Sequence, residues 1–75
     1  MQIKIEDLNS LFNKAFDADV IITIDSVRED LEQWDSINQL NLVVELEDFY
    51  KISFSKEEIE SLNSVKQIIA AIESK

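Results

Sequence analysis

Ser36 is the residue of this chain best placed to do chemistry, because it directly follows Asp35 where a linker becomes an amphipathic helix. A negatively charged group attached to its hydroxyl oxygen would lie at the positive end of that helix, where free backbone N–H groups and the helix dipole favour an anion. Ser26, Ser55 and Ser64 also open predicted helical segments. Capping alone therefore does not distinguish Ser36, whereas an attached anion would.

The residue types that are missing narrow the possible functions. The 75 residues include no cysteine and no histidine, so a thiol nucleophile, a disulfide framework and the commonest general base and metal ligand are absent. We therefore do not expect an enzyme. Asp17, Asp19 and Asp25 suggest a calcium-binding EF-hand loop, but its sharp-turn glycine and closing glutamate are missing, and we expect no metal site.

The charge of the chain favours protein partners. Sixteen acidic and seven basic residues give a net charge of −9, which repels nucleic acid and anionic membrane surfaces and attracts basic patches. A charged run is usually a solvated face, but this one surrounds Ser36 and indicates a docking surface. No basic residue lies between Arg28 and Lys51, whereas the acids there are Glu29, Asp30, Glu32, Asp35, Glu45, Glu47 and Asp48.

Apolar spacing predicts an all-α fold, a small four-helix bundle of three longer helices and one short helix, with a long loop between the first two. We expect one domain, residues 1–75, near the lower size limit for an unstapled core. Nothing at the N-terminus resembles a signal peptide, and the longest aliphatic run, residues 20–24, is too short to span a bilayer. We therefore expect a cytoplasmic monomer.

The predicted helices begin at serine caps, apart from the first, which covers residues 3–16. Ser36 with Gln39, Ser55 with Glu58 and Ser64 with Gln67 have capping-box spacing, and the second helix should run to Tyr50. Ser26 with Glu29 predicts a short turn in the loop. The buried side of the first helix should comprise Ile5, Leu8, Leu11, Phe12, Ala15 and Phe16, and that of the second Ile37, Leu40, Val43, Val44, Leu46 and Phe49 or Tyr50.

Two further local features are predicted. Residues 20–24 are β-branched enough to suit a strand, but with no second strand to pair with we expect an extended loop pinned to the helices. The chain has no glycine and no proline, so Asp17, Asp19 and Asn63 are expected to supply the turn geometry, including left-handed backbone.

Four segments together resemble the acyl carrier protein family. They are Asp35-Ser36-Ile37 at a helix start, residues 42–48 as the family's recognition helix, residues 52–55 as the segment after it, and residues 64–69 at the start of the last helix. The resemblance implies a 4′-phosphopantetheine arm, derived from coenzyme A, attached to Ser36. It also implies that Asp35 is recognised by the phosphopantetheinyl transferase.

The resemblance further implies which residues meet partners and cargo. Partners would be the transferase and acyl-transferring or acyl-activating enzymes with basic docking patches, meeting Trp34, Ile37, Glu45, Glu47 and Asp48. An acyl chain, if sheltered, would lie among Val43, Leu46, Phe54, Ile59, Leu62, Ile68 and Ala71. The same seven residues would also serve as ordinary core.

Departures from the family pattern leave alternatives. Trp34 replaces a frequent glycine, either as an aromatic contact for partners or as a residue packed at the core edge. Asn38 and Asn41 replace acids common in fatty-acid carriers and favour a specialised acyl pathway over the main fatty-acid synthase. An aminoacyl carrier, D-alanyl or peptidyl, and an unmodified helical adaptor are the alternative functions.

Overall fold

A computed structural model of the chain describes residues 3–75, and it contains four α-helices in that range. They are α1 (Ile5–Phe16), α2 (Ser36–Tyr50), α3 (Lys56–Glu60) and α4 (Val65–Glu73), with one 3-10 turn (Arg28–Asp30) between α1 and α2. No strand forms within residues 3–75. A single antiparallel bridge there joins Val27 to Ser64. The predicted bundle of three longer helices and one short helix is confirmed.

Helix α1 begins two residues later than predicted, because Lys4 is extended and its side chain makes no cap. Acids in the first turn and Lys14 in the last complement the helix dipole. The helix ends at Phe16, and the next residue, Asp17, has the left-handed backbone (φ 51°) predicted for it. Its predicted buried face is correct except for Ile5, which is partly exposed; the buried residues are Leu8, Leu11, Phe12, Ala15 and Phe16.

The loop after α1 is held against that helix by two asparagines. Asn13 Oδ1 accepts from the backbone N–H of Val20 at 2.6 Å, and Asn9 Oδ1 accepts from that of Ile22 at 2.7 Å. Val20 and Ile22 are buried, whereas Ile21 between them is exposed. This alternation confirms the extended loop pinned to the helices, since side-chain amides take the place of a neighbouring strand.

Three predicted turn features are wrong. Ser26 caps nothing in the 3-10 turn; its Oγ instead accepts from the Thr23 N–H at 2.8 Å, and Val27 precedes the turn without a side-chain cap. Asp19 and Asn63 do not adopt positive φ, although Asn63 does support the turn after α3, since its side-chain amide donates to Glu60 O at 3.2 Å. Lys51 does (φ 57°), and its N–H donates to Glu47 O at the end of α2.

The caps of α3 and α4 follow the sequence. Ser55 and Glu58 form a reciprocal capping box, and Ser64 Oγ accepts from the Gln67 N–H at 3.1 Å. Gln67 Oε1 accepts from the Asn63 N–H rather than from that of Ser64. The Lys75 ammonium, 2.7 Å from Glu58, and the Ser55 N–H lower the pKa of the Glu58 carboxyl.

Helix α2 buries only part of the side predicted: Val43 and Leu46 are buried and Tyr50 is half-buried, as expected. Ile37, Leu40 and Val44 are 73%, 58% and 61% exposed, and Phe49 is half exposed. Gln39 and Leu42, which lie outside the predicted side, complete the core side of α2 with Val43 and Leu46. Leu42, Val43 and Leu46 join one apolar cluster with α1, α4 and the loops, in which Phe12, Leu62, Ile68 and Ile72 are fully buried.

Within residues 3–75, no helix combines the length and apolarity needed to cross a membrane.

Candidate functional site

Trp34 anchors the approach to α2 in the core. Its side chain is only 2% exposed, and its ring lies edge-on to Phe12, with centroids 5.1 Å apart, and 6.4 Å from the Phe16 ring. The indole N–H donates to Gln39 Oε1. The prediction that Trp34 meets partners is therefore wrong, because the ring is occupied inside the chain; the alternative, packing at the core edge, is correct.

Gln39 is a buried polar residue whose amide is fully used. Its Oε1 accepts from Trp34, and its Nε2 donates to Ile59 O at 2.8 Å and to Leu62 O at 3.0 Å. The Leu62 carbonyl, just after α3, has no other donor within residues 3–75, and the Ile59 carbonyl also accepts from the Leu62 N–H at 3.3 Å. The predicted capping box of Ser36 with Gln39 is therefore wrong, since Gln39 points into the core instead.

Asp35, and not Ser36, caps α2. Asp35 Oδ1 accepts from the Asn38 N–H at 2.8 Å, and Asp35 O accepts from the Gln39 N–H. The Asn38 amide donates in turn to Gln33 O at 2.7 Å, which fixes the end of the linker.

Ser36 is consequently the first residue of α2, with an exposed side chain that has no capping duty. The only side-chain contact of its Oγ within residues 3–75 is Arg28 Nη2, at a long 3.5 Å. The hydroxyl thus faces solvent at the N-terminus of a 15-residue helix. This arrangement leaves the hydroxyl open to esterification, and an anionic ester would be favoured there.

The predicted docking residues differ in their exposure and in the contacts that they make within the chain. Ile37 and Asp48 are exposed, and Asp48 lies 4.0 Å from Lys51. Glu45 is 3.4 Å from Lys14 of α1, and Glu47 Oε2 accepts from the Phe54 N–H at 2.9 Å. Glu45 and Glu47 therefore make contacts within the chain. The part of all three acids in docking stays a prediction.

The seven residues predicted around an acyl chain are brought together by the fold. Val43, Leu46, Phe54, Leu62 and Ile68 are buried, and Ile59 and Ala71 pack half-buried against them. They belong to the same core as the α1 residues, so their burial agrees with either a sheltered acyl chain or plain core. A role in holding cargo stays a prediction.

The sequence reasoning overlooked two features of the site. Leu40 and Val44 extend the exposed side of α2 from Ile37, with the spacing i, i+3 and i+7 of a helical stripe. Arg28, the only arginine of the chain, lies beside Ser36. No group of acidic side chains that could hold a metal occurs in residues 3–75.

The fold of the chain is matched in a solved structure. A solution NMR structure of a holo acyl carrier protein from Geobacter metallireducens aligns with a TM-score of 0.81 and 32% identity, covering 95% of this chain and 83% of that one. The chain belongs to the acyl carrier protein family. As a member it is a carrier and not an enzyme. Scanning against protein-family models and searching the curated proteins gave no match.

The division of labour between Asp35 and Ser36 in this carrier protein can be tested by unfolding. We expect Asp35→Ala to lower the free energy of unfolding by about 1 kcal/mol, because the cap on the Asn38 N–H is lost. Ser36→Ala should change it by less than about 0.5 kcal/mol, as for an exposed side chain without such a role. Urea denaturation of the two apo variants measures both. A larger loss for Ser36→Ala than for Asp35→Ala would contradict the assignment of the cap.

Proposed function

We propose that this chain presents a thioester-bound acyl group on a 4′-phosphopantetheine arm attached to Ser36. The observation that carries the proposal is the exposed, non-capping hydroxyl of Ser36 at the start of α2, in a chain 32% identical to a holo acyl carrier protein. In this proposal residues 1–75 act as one carrier domain. The monomeric state and the cytoplasmic location remain sequence-based predictions.

The residues around Ser36 fit the attachment of such a group. The Ser36 side chain is exposed, and within residues 3–75 the basic side chain that reaches its oxygen is that of Arg28. Asp35 is exposed beside it for recognition by a phosphopantetheinyl transferase. The arm, when bound, supplies the thiol that forms the thioester. The chain itself has no cysteine, so its own part is to hold Ser36 in place and to present it.

The proposal extends to the acyl chain, which would enter the core between α2 and the segment from Phe54 to Leu62. Gln39 spans these two parts of the chain through its bonds to Ile59 O and Leu62 O. Val43, Leu46 and Phe54 lie in the same apolar cluster, and the cargo would have to move them apart, since protein cores are close-packed. The same surroundings favour an aliphatic cargo over a polar one.

Attachment to Ser36 can be tested directly. Incubating the apo chain with a phosphopantetheinyl transferase and coenzyme A should increase its mass by one phosphopantetheinyl unit, and Ser36→Ala should abolish the increase. Ser53→Ala is the matched control, because Ser53 is also exposed and its side chain makes no hydrogen bond within residues 3–75. Intact-mass spectrometry followed by fragmentation locates the unit. Modification of Ser26, Ser55 or Ser64, or of no serine, would refute the carrier function.

The docking surface that we propose combines charge with an apolar stripe. Asp48 and the acids before α2, namely Glu29, Asp30 and Glu32, are exposed and would guide enzymes with basic patches toward Ser36. We define the α2 stripe as Ile37, Leu40 and Val44, whose exposed side chains start next to Ser36. Steering by the acids and burial of the α2 stripe would together serve the transferase and the acyl-handling enzymes.

A substitution in the α2 stripe tests this surface without disturbing the core. Leu40→Asp should slow modification of Ser36 roughly tenfold, because losing one apolar anchor of an interface costs about 1–2 kcal/mol. Ile21→Asp is the matched control, since Ile21 is 84% exposed in the loop after α1 and lies outside the stripe. Initial rates by intact mass, with circular dichroism to check folding, measure the effect. Equal rates for Leu40→Asp and wild type would remove the stripe from the interface.

The two asparagines on α2 support a specialised pathway in place of the main fatty-acid synthase. The Asn38 side chain donates to Gln33 O, and the Asn41 side chain donates to Asn38 Oδ1 at 3.2 Å. A carboxylate at position 38 has no proton to donate to Gln33 O. Asn38 is therefore part of the structure that holds Ser36. An acid in its place would lose the bond to Gln33 O, which gives a structural reason for a neutral residue in this turn.

A further inference from the structure

A groove of about 840 Å³ lies on the side of the protein where the 3-10 turn faces the start of α4. The antiparallel bridge between Val27 and Ser64 holds its two walls together. Arg28 N donates to Asn63 O at 2.8 Å, and Val65 N donates to Ser26 O at 3.0 Å. Backbone bonds on both sides make the groove a fixed feature, and its size is within the range of small-molecule sites.

Arg28 connects this groove to Ser36. Its side chain lines the groove, its Nε donates to Trp34 O at 3.0 Å, and its Nη2 lies 3.5 Å from Ser36 Oγ. The bond to Trp34 O fixes the guanidinium beside the hydroxyl. A long side chain that is already ordered loses less conformational entropy when it binds a further group.

The Arg28 guanidinium has no carboxylate partner in residues 3–75, although the chain carries a net charge of −9. All four ion pairs in that range are formed by lysines, and the exposed acids Glu29 and Asp30 next to Arg28 do not pair with it. A guanidinium held this way retains N–H donors for an anion, and its planar fork suits the oxygens of a phosphate group.

The rest of the groove offers the chemistry that a pantetheine chain would need. Val27 provides apolar surface, Trp34 adds only the edge left by its burial at 2% exposure, and Gln67 contributes an amide. Gln67 Oε1 accepts from the Asn63 N–H and the Ser64 hydroxyl, whereas Gln67 Nε2 makes no bond within residues 3–75. A free amide donor next to apolar surface matches an arm in which carbonyl groups alternate with short aliphatic segments.

We propose that Arg28 binds the phosphodiester on Ser36 and that the groove between the 3-10 turn and α4 receives the pantetheine chain of the holo protein. This inference rests on the proposed function, since it requires the arm on Ser36. The groove would bind the arm outside the apolar core between α2 and α3 when no partner enzyme is present. The thiol would then leave the groove when a partner enzyme takes up the arm.

The test compares the apo and holo proteins by ¹H–¹⁵N NMR, after intact mass has established the state of each sample. In wild type, conversion to the holo form should shift the signals of Val27, Asn63, the Gln67 side-chain amide and the Arg28 Nε–H, besides those next to Ser36. Arg28→Gln should still be modified, but its groove signals should shift no more than those of α1. Lys66→Gln is the matched control, because it removes one positive charge near the groove from a lysine that pairs with Asp25.

The possible results distinguish a failure of the groove proposal from a failure of the carrier function. Groove shifts in wild type and Lys66→Gln that disappear in Arg28→Gln would support the proposal. Modified protein whose shifts lie instead at Phe54 and Leu62, or only at Ser36 and its neighbours, would overturn the groove and leave the carrier function standing. The wild-type comparison alone gives this answer if Arg28→Gln does not fold. An unchanged mass would overturn the carrier function and the groove with it.

Discussion

The structure depends on one buried amide, that of Gln39, which ties the start of α2 to the parts of the chain around it. Its oxygen accepts from the Trp34 indole, and its nitrogen donates to Ile59 O and Leu62 O. Each of these groups, buried without a partner, would cost about 1–3 kcal/mol. Because Trp34 is two residues before Ser36 and Gln39 is three after it, the network fixes the backbone on both sides of the hydroxyl. The exposed Ser36 is therefore held by a rigid, buried frame.

The sequence predicted the helices well and the contacts of α2 poorly, for identifiable physical reasons. Caps such as Ser55 with Glu58 depend only on neighbouring residues, so their spacing was sufficient. Apolar residues occupy two sides of α2, and periodicity does not say which side meets the core. Gln39 is the residue type expected in a capping box, but its side chain makes hydrogen bonds to groups up to 23 positions away along the chain. The long-range bonds of such a side chain leave no local pattern in the sequence.

The buried frame explains how a chain without glycine and proline holds an exposed hydroxyl at a helix start. Asp35 caps the helix and leaves Ser36 uncommitted, and the Asn38 amide secures the linker. The α2 stripe is free because Gln39, rather than Leu40, faces the core. In a strongly acidic chain, a single arginine beside the hydroxyl supplies the local positive charge. The core therefore stabilises the fold and divides the residues of α2 into a buried side and an exposed side, which we propose meets partners.

We propose that this acyl carrier protein carries its cargo on Ser36. The most direct measurement is the intact mass of the protein purified from its native host, followed by fragmentation to locate any added group. The account predicts one phosphopantetheinyl unit on Ser36, with a fraction of the molecules heavier still by an acyl group that hydroxylamine removes. A chain of unmodified mass under conditions in which its host makes the protein would contradict the account, and would indicate a helical adaptor that has kept the fold without the arm.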